Sequence, residues 1–150
     1  MTRKACALTL TTLLVAAVLL FGAPTGVSAT GSSTAPRGTC RAWGYNGNGQ
    51  LGDGTNNDSD TPVAVSGLSG VTAVSGGGYH SLALKSDGTV WAWGWNYYGQ
   101  LGNGTNGTNT DKNTPVEVSG LSGVVAVSAG YCHSLALLGD GTVRAWGYNG

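Results

Sequence analysis

The sequence predicts an all-β fold assembled from β-propeller blades. Three observations predict it: a unit that recurs along the chain, short strand-like runs inside each unit, and tight-turn residues between the runs. Aligning the chain with itself exposes the recurrence. The block GTCRAWGYNGNGQLGDGT (Gly38 to Thr55) returns as GTVWAWGWNYYGQLGNGT (Gly88 to Thr105) and begins again as GTVRAWGYNG (Gly141 to Gly150). Between these blocks, Thr61 to Asp87 matches Thr114 to Asp140. Trp43, Trp93 and Trp146 mark one repeat position, 50 and then 53 residues apart, and the three extra residues fall between Gly102 and Pro115, in a loop.

Each element follows from local chemistry. The runs 71–74 (VTAV), 81–84 (SLAL) and 89–93 (TVWAW) are short, rich in β-branched or aromatic residues, and bounded by Gly, Ser, Asp or Asn, which is how strands read. Ser86-Asp87-Gly88 supplies a hairpin turn between the last two runs, because Gly adopts positive φ without strain. The run 61–65 (TPVAV) reads as an outer strand, since Pro62 cannot donate to a ladder and suits an edge. Three or four short strands per unit with no helix is the content of a propeller blade. The first unit is expected to contribute only its last strand, 38–43. The small residues of 76–78 (GGG) and 129–130 (AG) are expected where strands of neighbouring blades crowd.

The series WG(Y/W)N, GQLG, TPV, HSLAL, DGTV and WG, in that order, resembles the regulator-of-chromosome-condensation repeat over residues 37–150. The resemblance implies a seven-bladed propeller of which this chain is an N-terminal piece: about two full repeats plus partial ends, an incomplete ring. Such rings often complete the first blade with strands from the far C-terminus. A blade cannot bury both faces alone, so an open arc is expected to be unstable or to self-associate. The founding member of the family is a guanine-nucleotide exchange factor for a small GTPase at chromatin. That activity is not expected here, because a repeat match transfers fold and not function.

The chain opens with Arg3 and Lys4, an uncharged apolar run from Ala5 to Phe21, and Val27-Ser28-Ala29. This is the order of a secretory signal, so residues 1–29 are expected to be cleaved, 30–36 to be a polar linker and 37–150 to be the repeats. The protein is expected to be secreted, with no membrane association after cleavage. Five cations (Arg37, Arg41, Lys85, Lys112, Arg144) then face seven carboxylates, a net charge of −2 with no basic stripe, which argues against nucleic acid as a partner.

Catalytic, cofactor and metal chemistry is not expected. His80 and His133 share one repeat position on different blades and are not expected to share a site. Each is followed directly by a serine, Ser81 or Ser134, which alternation sends to the opposite face of its strand. The loop from Asp53 to Asp60 offers several oxygens but lacks the EF-hand pattern, and Asx turns explain it without calcium. Cys40 and Cys132 would meet an oxidising compartment and could pair there, although they lie in different units. Asn57, Asn103 and Asn106 begin glycosylation-type triplets.

The repeating Trp43, Trp93 and Trp146 are expected in the core. Trp91, whose counterparts are Arg41 and Arg144, is expected to meet solvent. Trp95, Tyr97 and Tyr98 form a second aromatic concentration beside the loop of variable length, and two readings stay open for them, packing between blades and anchoring a partner. On the second reading the candidate binding surface is Trp91, Trp95, Tyr97, Tyr98, Asn106, Asn109 and Asp111, facing an unidentified protein or cell-surface polymer. The function expected is non-enzymatic binding. The alternatives are an inhibitor of an extracellular enzyme, or a repeat domain of a larger cell-wall protein or hydrolase.

Overall fold

The computed structural model describes residues 38–150; the export signal (1–29) and polar linker (30–36) expected from the sequence lie outside them. Nine strands occur among the described residues, and no helix: β1 (Arg41–Gly44), β2 (Ser59–Ala64), β3 (Val71–Gly76), β4 (His80–Lys85), β5 (Val90–Gly94), β6 (Lys112–Glu117), β7 (Val124–Ala129), β8 (His133–Leu138) and β9 (Val143–Gly147). They form three antiparallel sheets, β1-β2, β3-β4-β5-β6 and β7-β8-β9. The expected all-β, propeller-type architecture is found as partial blades and not as a closed ring.

The first sheet corrects the expectation of a lone strand. Residues 59–64 fold back antiparallel on β1, with Arg41 opposite Ala64 and Ala42 opposite Val63. β6 does the same on β5, pairing Trp91 with Glu117 and Ala92 with Val116. The proline-bearing run is thus the outer strand of the preceding blade in both units, at an edge as expected. Sequence unit and blade are out of phase. The complete four-stranded blade lies between a two-stranded and a three-stranded partial one.

Turn chemistry sets the hairpins. Gly88 takes φ +79° and donates its amide to Lys85 O at 3.0 Å. The Asp87 carboxylate accepts the Thr89 hydroxyl at 2.6 Å and the Thr89 amide at 3.1 Å. Those bonds from the hydroxyl and the amide hold the Asp87 carboxyl down at about 2. Asp140 and Thr142 repeat the device between β8 and β9.

Strand alternation decides which blade each side chain meets. In β4 and β5, Leu82 sits opposite Ala92 and Leu84 opposite Val90, and this face builds one core with Val124 and Ala136 of the next sheet. The other face carries Ala83, Trp91 and Trp93, packed with Val65, Leu68 and Ala42 of the preceding one. The core is therefore a series of interfaces between sheets, and each fully buried leucine contributes about 1.5–3 kcal/mol. Gly77 and Gly78 lie at such an interface as expected: a Cβ on Gly77 would come within 2.6 Å of Gly130 O, and one on Gly78 within 2.8 Å of Tyr131 O. Gly76 has open space instead.

The outer sheets carry the consequence of this design. Trp93 is 2% exposed but Trp43, its repeat equivalent, is 50% exposed, so the expectation that all three tryptophans are core holds fully only for the middle blade. Among the described residues no sheet stands on the far side of Trp43. At the opposite end Val125 and Val143 are 56% and 59% exposed. Apolar groups left in water at both ends favour association. Light scattering on the purified chain should show concentration-dependent oligomers; a cooperatively melting monomer across the concentration range would contradict this.

Candidate functional site

The loops at the end where β5 stops and β4 starts are organised by one buried asparagine per unit. The Asn96 side-chain oxygen accepts the Leu101 amide at 3.0 Å, while its NH₂ donates to Thr105 O at 3.0 Å and to Asn103 Oδ1 at 3.3 Å. Its backbone amide donates to Asp111 Oδ1 at 2.9 Å. Asn46 repeats the pattern with Leu51 N, Thr55 O, Asn57 O and Asp58 Oδ1. Asparagine is the side chain that donates and accepts through one planar group, so a single buried residue closes the whole loop.

Comparing the two hubs places the length difference. The step from hub to threonine carbonyl is nine residues in both loops, while the step to the capping aspartate is 12 in one and 15 in the other. The extra residues therefore lie within 106–109. This segment is docked by Gly107 N donating to Tyr97 O at 3.0 Å, and Asn109 adopts φ +63°. Asn106 and Asn109 are exposed beside the aromatic residues.

Seven rings form one connected array on this face. Tyr79 meets Tyr45, Trp95 and Tyr131 edge-on, with centroids 6.4, 5.9 and 5.7 Å away. Trp95 stacks on Tyr97 at 6.1 Å and meets Tyr98 at 5.4 Å; Tyr98 continues to Tyr148 at 4.8 Å. Tyr45, Tyr97, Tyr131 and Tyr148 are exposed. The loops involved, 45–58, 77–79, 95–111, 130–132 and 148–150, hold no Lys or Arg.

Of the residues expected at a binding surface, Trp95, Tyr97, Tyr98, Asn106, Asn109 and Asp111 are brought together. Asp111 also accepts Asn48 Nδ2 at 3.2 Å, tying one loop to the next. Trp91 is not among them. It stands in β5 opposite Ala83 and Glu117, packs against the Val65–Leu68 cluster, and lies under Lys85 Nζ at 5.5 Å from the ring centroid. Strand alternation puts it on the interface side with Trp93, so it is half-buried where solvent was expected. Tyr45, Tyr79, Tyr131 and Tyr148 were missed; Tyr45 and Tyr148 share the aromatic position of Trp95 after WG, whereas Tyr79 and Tyr131 align with Cys132 and Gly78 and carry no repeat signal.

His80 has a partner across the joint between sheets. His80 Nε2 lies 2.9 Å from the hydroxyl of Ser134, in the next sheet. Burial first, and then the nearby His133 ring, push the His80 imidazole down to about 4. Intrastrand alternation correctly separates His80 from Ser81 but says nothing of a partner 54 residues on. The Ser134 proton goes to Gln100 O at 2.8 Å, so Ser134 accepts from Nε2–H, the reverse of what a general base needs.

Gln100 O also accepts the Trp146 indole at 2.9 Å. One unit earlier, Gln50 O accepts Ser81 Oγ at 2.9 Å and Trp93 Nε1 at 2.8 Å. A single loop carbonyl thus fastens two side chains of the following sheet. The Cys40 thiol is free and burial raises its pKa, so Cys40 and Cys132 do not pair with each other. Among the described residues no three His, Cys, Asp or Glu side chains gather as a metal site. Asp53 and Asp58 instead accept hydrogen bonds from their own loop.

Residues 37–84 and 87–137 match the family model described as the regulator of chromosome condensation (RCC1) repeat, and residues 71–100 match a second model of that description. The chain belongs to the RCC1 repeat family. It is similar to the ultraviolet-B receptor UVR8 of Arabidopsis thaliana, at 39% identity over 112 residues, 72% of this chain and 25% of UVR8. RUG3, an RCC1 domain-containing mitochondrial protein of the same plant, is 37% identical over 109 residues, 70% of this chain and 24% of RUG3. Human WBSCR16 superposes with a TM-score of 0.66 at 30% identity, covering 75% of this chain and 29% of that one. The chain spans about a quarter of the length of the curated relatives it matches. In this RCC1 chain, Asn-closed loops and Gln-carbonyl locks give the WGxN, GQLG and HS…WG elements their physical content.

Proposed function

We propose that this chain is an exported, non-catalytic RCC1-type repeat protein that binds another macromolecule, a protein or a cell-surface polymer, through its aromatic face. The observation that carries the reading is the connected array from Tyr45 to Tyr148, exposed at four rings and flanked by exposed Asn106 and Asn109. Tyrosine and tryptophan bring large contact area and a hydrogen-bonding tip while losing little rotamer freedom, which is why they anchor binding surfaces. Export rests on the N-terminal signal pattern. The absence of Lys and Arg from the loops of this face disfavours nucleic acid and other polyanions.

The chain spans only a quarter of its relatives, and this favours a second reading, in which the face belongs to a larger exported protein. Neither light reception nor nucleotide exchange is proposed. Recovery of bound partners from a culture supernatant and cell-wall fraction, comparing wild type with Tyr97→Ala and Tyr131→Ala, tests the surface. Each variant should lower recovery about tenfold, as loss of an aromatic anchor does, while Lys85→Ala at the opposite end leaves it unchanged. Equal recovery from all four proteins would sink the reading.

A further inference from the structure

We propose that the joint between the middle sheet and the sheet that follows it is an acid-operated contact, with the Nδ1 lone pair of His80 as its proton acceptor. The case starts from hydrogen-bond accounting. Ser134 has one proton, directed at Gln100 O, so the bond at 2.9 Å requires Nε2–H on His80 and leaves Nδ1 as a bare lone pair. That Nδ1 is buried with no hydrogen-bond partner, in a residue 1% exposed. The imidazole is thus held in its neutral form. A second proton would place a charge and an unpaired N–H in a dry interface, and both are strongly disfavoured there.

The surroundings offer no compensation. β3, β5 and β7, which flank β4, contain no ionisable side chain. His133 of β8 acts on the ring and opposes protonation, and the turns add only the phenols Tyr79 and Tyr131. Well above pH 6.5 the ring is neutral in the folded and the unfolded chain and contributes nothing. As pH falls the unfolded chain takes up the proton first, so stability is lost between about 6.5 and 4, and the loss levels off once the folded ring also protonates. From this group alone the folded-to-unfolded ratio should fall roughly 60-fold between pH 7 and pH 4.5.

The joint has a readout on the binding face. His80 follows Tyr79, which touches Tyr131 across the same interface at 5.7 Å, and Ser134 shares Gln100 O with Trp146. Loosening the contact separates the two tyrosines. A role in releasing a partner would rest on the proposed binding function; the joint itself does not.

Two measurements on the full chain test the proposal. Proton NMR of the imidazole signals should show His80 neutral and Nε2-protonated down to about pH 4, while folded; titration near 6.5 would overturn the proposal. Denaturant unfolding at pH 7 and pH 4.5, compared with His80→Gln, should show the roughly 60-fold loss in wild type and its absence in the variant. An equal loss in both proteins would assign the effect to carboxylates and end the idea. If His80→Gln does not fold, the ring titration decides alone. Neither measurement uses the partner, so failure here leaves the binding reading standing.

Discussion

Trp93→Ala is expected to destabilise the repeat region by about 3–5 kcal/mol, the range for removing a fully buried large aromatic. Two losses combine. The indole is 2% exposed between the first two sheets, packed with Val65, Leu68 and Ala83, so truncation leaves a cavity. Its Nε1–H also donates to Gln50 O at 2.8 Å. Trp93→Phe keeps most of the volume and removes that bond, and should cost about 1–2 kcal/mol. Trp43→Ala is the internal control: the same repeat position, half in water, should cost below about 1 kcal/mol. Denaturant midpoints of the three variants give the ranking. If Trp43→Ala cost as much as Trp93→Ala, the interface account of this position would be wrong.

The second large effect is expected from Asn96→Ala, at about 3 kcal/mol. The change leaves the buried Leu101 amide without its acceptor and Thr105 O without its donor, and each such orphan costs about 1–3 kcal/mol. The consequence reaches function, because the loop that Asn96 closes carries Tyr97, Tyr98 and the inserted 106–109 segment. Asn106→Ala, on the exposed insertion, should stay within about 0.5 kcal/mol. Unfolding curves give the stabilities, and hydrogen exchange at the Leu101 amide reports the loop directly. Matching costs for Asn96→Ala and Asn106→Ala would refute the hub.

Much of this molecule was legible in the chain. Period-2 runs and turn residues located β1 to β5 to within a few residues, the repeat carried the same runs onto β6 to β9, and Pro62 and Pro115 marked the outer edges. Six of seven candidate surface residues converged because they are neighbours in sequence on one loop. Trp91 failed for a reason that is also physical: the Arg41 and Arg144 counterparts report on outer blades, whereas Trp91 has a sheet on each side of it. His80 failed similarly, since its partner is defined by how sheets stack and not by position along a strand.

The sequence alone determined the repeat, the strands, the turns and which positions alternate, because these depend on local backbone preference and on side-chain period. Only the tertiary structure decided which blade each strand joins, that β2 and β6 close the preceding blade, and that a glutamine carbonyl fastens serine and tryptophan of the next. Those contacts span 31–46 residues, and chain-local chemistry carries no information at that separation. The burial that gives each repeat position its energy belongs to the interface between sheets, so three equivalent tryptophans have three different environments.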